Sequence, residues 1–443
     1  MELSPQIVTI LMLGGVLVGI LVGYHIAIPV GAVALIVGYI VMGGAVGDLL
    51  YDRLFGLIHN YVLLAVPLFI FMGFMLERTG VAEGLYGALY LWLGRLKGGL
   101  ALTTVIIGTI LAACVGIIGA SVTMLAIIAL PAMLKRNYDK SLAAGSVCAG
   151  GTLGILIPPS VMLVVYGPVA QISVGKLFLA AIPAGLVLSA LYCIYIAVRC
   201  LFQPEIGPAV PAAEIAIPLS KKTYMLVTQL LPTAALIVAV LGSIFFGIAA
   251  PTEAAAVGAF VATLLAVAYR KFSWHGLREV TRETFMIASM ILLIGGLSYA
   301  FTGVFLSAGC GHVVEDFILG APFGRWGAFA VTMLIVFVLG MFIDWQGIVF
   351  IMVPILTPIG PALGFDPLWF AMMVIVNLQM SFMTPPFAYA IFYVKGSIPQ
   401  GVEVSTAEII RGVLPFTALI VVGIGVFIGF PQVILWLPRL MIK

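Results

Sequence analysis

Two prolines in a row, occurring twice, constrain this chain more than any other feature. The first pair closes the run Gly150-Gly151-Thr152-Leu153-Gly154-Ile155-Leu156-Ile157-Pro158-Pro159-Ser160, and the second stands 227 positions later in Thr384-Pro385-Pro386. At the same offset Tyr166 falls on Tyr393 and Tyr138-Asp139 on Phe365-Asp366. Each pair removes two backbone donors from otherwise apolar sequence, so a helix cannot run through and carbonyl oxygens lose their partners. At membrane depth such irregular backbone is tolerated only where protein buries it or where it lines a cavity, and there it commonly coordinates an ion or substrate.

The membrane setting follows from composition. Hydrophobic residues make up 63% of the 443 and charged residues 8%, against about 25% charged in soluble domains. The chain is an all-α polytopic membrane protein. A net charge of +3 reflects loop lysines and arginines and points to no nucleic acid. The five cysteines (Cys114, Cys148, Cys193, Cys200, Cys310) lack metal-ligand spacing and read as packing residues, and the four histidines are scattered. Met1-Glu2-Leu3-Ser4 has no basic segment before a long apolar run, so the first span is expected to be retained.

In chain order, residues 5–46 suffice for two spans with a kink between His25 and Pro29. An amphipathic arm at 48–60 and a span at 61–76 follow. The run 98–134 is interrupted by Gly116 and Gly119 and reads as a re-entrant hairpin with its tip at Val115–Ser121. Its feet carry Arg95, Lys97, Lys135, Arg136 and Lys140 against Asp139, which places them in the cytoplasm. A broken helix at 141–166 crosses outward and 177–198 returns. Residues 1–200 thus form a first repeat, 201–222 a proline-rich cytoplasmic linker, and 223–443 a second repeat.

The second repeat has an arm expected at 270–283, a hairpin at 326–361 and a broken helix at 367–394, but its charges are inverted. Arg270, Lys271, Arg278 and Arg282 mark the arm, while Glu315, Asp316 and Asp366 outweigh Arg325 at the hairpin feet. Inverted repeats that each hold a hairpin and a broken helix mark secondary transporters with a midplane site. The expectation is about ten spans, two hairpins and an outside N-terminus. It leaves Arg439 and Lys443 on the periplasmic side, against the charge rule.

The first site would be built mainly of carbonyl oxygens, with the hydroxyls of Ser121, Thr152 and Ser160 nearby, and suits a hard cation such as Na⁺. A mirrored Na⁺ site would use Asp344, Gly347, Thr384 and Pro385, with the tip at Asp344–Gly347. Ser121, Thr152, Ser160, Asn377, Gln379 and Thr384 are the substrate candidates, Asn377 and Gln379 facing the cavity. Asp344 stands where the first repeat has Ile117 and is read as coupling or orienting the tip. Glu253, in Pro251-Thr252-Glu253, reads as a helix start. No arginine lies in the midplane segments, so a substrate carboxylate would be neutralised by helix dipoles, hydroxyls and co-bound cations. A Walker lysine motif is absent, as is any clustered set of catalytic acids or nucleophile, which argues against an ATPase or an intramembrane enzyme. No cofactor is expected beyond Na⁺ as coupling ion.

Gly119-Ala120-Ser121-Val122, Leu130-Pro131-Ala132-Met133, Asn137-Tyr138-Asp139, the run from Gly151 to Ser160, Ala250-Pro251-Thr252-Glu253-Ala254-Ala255, Pro354-Ile355-Leu356-Thr357-Pro358 and Thr384-Pro385-Pro386 together resemble the large membrane subunit, of DctM type, of tripartite ATP-independent periplasmic (TRAP) transporters. The likeness spans essentially the whole chain. It implies a Na⁺-driven, elevator-type importer of an organic acid in the bacterial inner membrane. Its partners would be a small DctQ-type membrane subunit, expected as a separate chain, and a periplasmic substrate-binding protein. By position it places one Na⁺ near Val115, Ile117, Gly154, Ile157 and Pro159. Serines often stand in relatives at the places of Val115 and Ile117, and threonine at that of Ala250. A stand-alone Na⁺/dicarboxylate symporter of related design is the alternative.

Overall fold

Both double-proline positions interrupt helices in the computed structural model, which describes residues 3–398 and 403–441, all helix, turn and coil with no strand among them. Their physical cause is local. Prolines 158–159 and 385–386, each pair joined by a cis peptide bond, cannot donate to a preceding turn.

The first half comprises α1 (Pro5–Leu21), α2 (Ala27–Met42), α3 (Ala45–Ile58), α4 (Ala65–Glu77), α5 (Val81–Leu93), the hairpin arms α6 (Gly99–Val115) and α7 (Ile118–Leu134), then α8 (Lys140–Thr152), α9 (Val161–Ala170) and α10 (Val174–Phe202). The second half begins with α11 (Leu219–Phe245), α12 (Pro251–Ala268), α13 (Trp274–Ser307), α14 (Cys310–Leu319) and α15 (Gly324–Gly340). A kinked return arm follows, made of α16 (Trp345–Gly347), a π turn (Ile348–Met352), α17 (Val353–Leu356) and α18 (Ile359–Ala362). The chain then runs through α19 (Pro367–Ser381), α20 (Tyr389–Ser397), α21 (Thr406–Gly429) and α22 (Gln432–Arg439). Arg439 thus ends the last helix, and Lys443 lies outside the described residues.

The order of elements repeats, and the contacts exchange between halves. Helix α2 packs on α13 while its counterpart α12 packs on α4, and α8 packs on α21 while α19 packs on α10. The α8–α21 crossing is made by glycine: a β-carbon on Gly145 would overlap the Gly412 carbonyl, and one on Gly412 would overlap that of Ser141. Small residues let backbones approach in this way where hydrocarbon offers no hydrophobic drive. Equivalent caps start α8 and α19. Asp139 accepts from the Leu142 N–H at 2.8 Å, and Asp366 accepts from Leu368 and Trp369 at 2.9 and 3.0 Å.

Six described helices are long and apolar enough to cross a membrane alone, seven if the bent pair Ala45–Ile58 and Tyr61–Glu77 counts as one span. The expected ten are not reached by length, because α1 and α2 have only 17 and 16 residues and the broken helices are in pieces. Of the two expected arms only the first is a separate element. In the first half α3 and the following segment bend by 54°, and between them Asn60 accepts from the Val62 N–H at 3.2 Å and caps the start of the next turn. The second arm does not exist as a separate element. Helix α13 is continuous over 34 residues because nothing between Thr281 and Ile294 breaks a helix. Glu253 accepts from the Ala250 N–H at 2.8 Å and secures the start of α12.

The linker lies across the feet of the first hairpin. Gly98 N–H donates to the Gly207 carbonyl at 2.7 Å, Asp139 N–H to Ile206 at 2.9 Å, and Val210 N–H to Gly94 at 2.8 Å. Arg136 closes the strap on Glu214, holding that carboxyl below the usual carboxylate range, and also donates to the Tyr90 hydroxyl.

Candidate functional site

The first hairpin turns at Gly116, which adopts φ +67°, and Ile117 is extended before α7 begins. Only glycine fits, since a β-carbon there would also stand 2.7 Å from the Pro159 carbonyl oxygen. The Gly116 carbonyl accepts from the Val161 N–H at 3.3 Å, and in the second half the Met341 carbonyl accepts from Phe387 N–H at 3.2 Å. Each hairpin tip is therefore bonded to the first residues past its own half's break. The second tip is Met341–Asp344, not Asp344–Gly347: residues 345–347 already belong to α16, and Gly347 packs on the side chains of Ile26 and Ile343.

Both tips and both breaks line one cavity of about 590 Å³. Gly116–Gly119, Ile155 and Val161 come from the first half, and Phe342–Gln346, Phe387, Tyr389 and Tyr393 from the second. The loop Gly23–Ile26 and α13 from Ile287 to Ile294 close it. Across the halves, Tyr393 lies against Gly119, whose missing β-carbon leaves room for the ring. The lining holds one carboxyl group, Asp344, and one imidazole, His25, with neither lysine nor arginine.

The sequence-derived residues are only partly brought together. Around Gly154 a β-carbon would stand 2.7 Å from Ser121 Oγ and 3.6 Å from the Ile117 carbonyl oxygen, so these three meet. Ser121 Oγ is buried with no protein partner, an orphan hydroxyl beside a carbonyl, which fits a hard cation. Pro159 presents its carbonyl to Gly116. Val115 instead turns its carbonyl toward Gly73 of α4, and the Ile157 side chain packs on Gly185 of α10. Thr152 and Ser160 are taken up by their own backbone. Thr152 donates to Ala149 at 3.1 Å, and Ser160 donates to the Ile155 carbonyl and accepts from Leu163 N–H at 3.5 Å.

In the second half Thr384 donates to the Met380 carbonyl at 2.8 Å and, with Pro385, is half-buried at the break. Asn377 does not face the cavity but donates to the Met333 carbonyl of α15 at 2.7 Å. Gln379 is fully buried, with neither amide atom bonded, and is absent from the cavity lining. Asp344 is half-buried at the tip and lines the cavity, its side chain capping nothing. Tyr24, His25 and Tyr389 were not read from sequence as site residues, and Trp345 and Gln346 entered only as part of the Asp344–Gly347 tip. Gln346, a polar residue two positions after Asp344 in an apolar run, carried a signal.

Residues 13–433 match the family model of the tripartite ATP-independent periplasmic transporter, DctM component. The C4-dicarboxylate TRAP transporter large permease protein of Pseudomonas aeruginosa is 31% identical over 392 residues, covering 87% of this chain and 88% of that protein. An ectoine TRAP transporter large permease of Halomonas elongata is 27% identical and covers 95% and 96%. In fold, the chain is similar to the crystal structure of the Alcanivorax borkumensis YdaH transporter, with a TM-score of 0.60, 15% identity and coverage of 87% and 88%. Apolar helices, repeated breaks and a match over nearly its whole length make one conclusion plain: the chain belongs to the DctM family of TRAP transporter large permeases, multi-pass proteins of the inner membrane.

Proposed function

We propose that this chain is the Na⁺-coupled permease of a system that imports an organic acid, working with a small membrane subunit and a periplasmic binding protein that delivers the substrate. The observation that carries the reading is the orphan Ser121 hydroxyl beside the Ile117 carbonyl, at the point where tip meets break. A hard cation there would take the Ser121 oxygen, which otherwise has no partner, together with neighbouring backbone carbonyls. In the second half Asp344, Thr384 and Pro385 are the residues from which a second cation site would be drawn. Ten crossing segments, counting the short α1 and α2 and each broken helix as one, let the hairpins and broken helices move as an elevator against the remaining helices. Each Na⁺ moving inward contributes roughly 2.3 kcal/mol per 100 mV.

The substrates named for the relatives, C4-dicarboxylate and ectoine, both carry carboxylates and support an organic acid. Reconstitution with both partner subunits in proteoliposomes tests the proposal: uptake is expected to follow an inward Na⁺ gradient. Uptake unchanged when K⁺ replaces Na⁺ would sink the coupling, and uptake needing no binding protein would favour a stand-alone symporter.

A further inference from the structure

We infer that the first turns of α13 bind an anionic phospholipid of the cytoplasmic leaflet, its phosphate held by Arg278 and Arg282 and its chains lying along the apolar face that continues from them. The residues lie outside the cavity between the hairpins, so the inference is independent of the transport reading. Helix length sets their level. At 34 residues α13 is about 51 Å long, while the hydrocarbon core of a bilayer is about 30 Å thick. Several turns must project, and the charges say which: Thr284 to Ser307 contains no charged residue, whereas Trp274 to Glu283 holds Arg278, Glu279, Arg282 and Glu283. With Arg270 and Lys271 just before it, this end faces the cytoplasm by the charge rule.

The projecting turns sort their charges by face. Gly276, Val280 and Thr284 are buried against the protein, and the acids lean to that side. Glu279 pairs with Arg78 at 2.7 Å and with His275 at 3.0 Å, and Glu283 lines a cleft with Glu77 and Arg78. On the other side Trp274, Arg278, Thr281, Arg282 and Phe285 follow one another at helical spacing, all exposed, around an open depression of about 460 Å³. Neither guanidinium has an ion pair among the described residues. Arg270 and Lys271, also exposed, add two cations, and no acid stands between Glu253 and Arg278.

Past Arg282 the same exposed side turns apolar, with Phe285 72%, Met286 53% and Leu293 57% exposed. At 1.5 Å per residue Arg282 stands about 4.5 Å and Arg278 about 10.5 Å beyond Phe285 along the axis. Cations within two turns of a hydrocarbon-facing stripe stand at the level of lipid phosphates, and the arginine fork suits a phosphate oxygen pair. An acidic protein segment would match the arginines alone. A phospholipid matches the arginines and the stripe that continues from them, with Trp274 and Phe285 at the depth where aromatic rings gather. The headgroup should carry net negative charge, because a zwitterionic one brings its own cation to a face whose two acids point elsewhere.

The test titrates the purified full chain, alone and with its small subunit in a neutral detergent, with dioleoyl phosphatidylglycerol, dioleoyl phosphatidylcholine or inorganic phosphate, and reads the rise in melting temperature. Phosphatidylglycerol is expected to half-saturate at a concentration roughly tenfold below phosphatidylcholine, with the preference shrinking at high salt and phosphate without effect. R278Q/R282Q should lose the preference while its lipid-free unfolding stays cooperative. K97Q/K135Q, which removes two exposed cations elsewhere on the cytoplasmic side, should keep it. Equal response to the two lipids, a preference kept by R278Q/R282Q, or one lost as fully in K97Q/K135Q overturns the inference. So does phosphate acting as strongly as phosphatidylglycerol, which leaves an anion site alone, or a preference that vanishes once the small subunit is bound, which gives the face to a protein partner. None of these outcomes touches the transport reading.

Discussion

The carbonyl of Gly116, at the tip of one hairpin, accepts the amide of Val161, the first residue of the helix that resumes after the first break, at 3.3 Å. That bond joins two elements separated by the whole of α7 and α8, and Met341 and Phe387 repeat it at 3.2 Å. Replacing Gly116 by Ala forces a side chain into positive φ, worth about 1–3 kcal/mol, and into the Pro159 carbonyl. A lower melting temperature in detergent and at least a roughly tenfold loss of uptake are expected; a G116A protein with wild-type uptake would show that the junction need not be tight.

Ser121 offers the opposite case. Its hydroxyl bonds to nothing in the protein, so Ser121→Ala costs little stability, whereas loss of a ligand to Na⁺ should raise the half-saturating Na⁺ concentration roughly tenfold, about 1.4 kcal/mol. Thermal shift against Na⁺ titration separates the two effects, and an unchanged Na⁺ dependence would remove Ser121 from the site.

Asn377 should behave in reverse. Asn377→Leu removes the 2.7 Å bond to Met333 and is expected to cost about 1 kcal/mol of stability, with Na⁺ dependence unaltered. A changed Na⁺ response in this variant would mean that the amide reaches the ion after all.

At the α8–α21 crossing, Gly412→Val places two methyl groups where the Ser141 backbone lies. Overpacking costs typically 1–3 kcal/mol, and earlier unfolding with broader elution on size exclusion is the expected signature. The same substitution at Gly425, which has open space around it, serves as the control.

The strap responds to pH in a defined direction. Glu214 is held below its ordinary value of 4.5 by the Arg136 guanidinium, so the tie is complete above that pH and fades as pH falls through the lower folded value. Proteolysis of 203–218 should be flat from pH 8 to about pH 5 and accelerate only in stronger acid. Glu214→Gln should show the accelerated rate at neutral pH.

Sequence alone reached both breaks and the first hairpin turn because proline and glycine act where they stand, while the second tip, read at Asp344–Gly347, lies at Met341–Asp344, which holds neither residue. Pro158-Pro159 cannot continue a helix whatever surrounds it, and Gly116 at φ +67° marks its own turn. Facing direction was beyond such reading. Whether Asn377 looks into the cavity or toward α15 depends on how α19 is rotated in its packing, and α19 is apolar nearly all round. Charge misled as well: Arg270 to Arg282 suggested a separate arm, yet Arg278 and Arg282 decorate the first turns of an unbroken α13, and Arg270 and Lys271 lie in the connection before it. Asp139 and Asp366, read as repeat equivalents and as charges but not as caps, hold the two equivalent helix starts.

The strap has one more consequence. With the carbonyls of Ile206 and Gly207 and the amide of Val210 engaged by the hairpin feet, the connection between the halves has no slack over that stretch. In the proposed elevator motion, travel of the first hairpin relative to α11 with the Arg136–Glu214 tie closed must be taken up within 215–218, so the reach of that short segment, rather than the full length of the connection, would set the stroke.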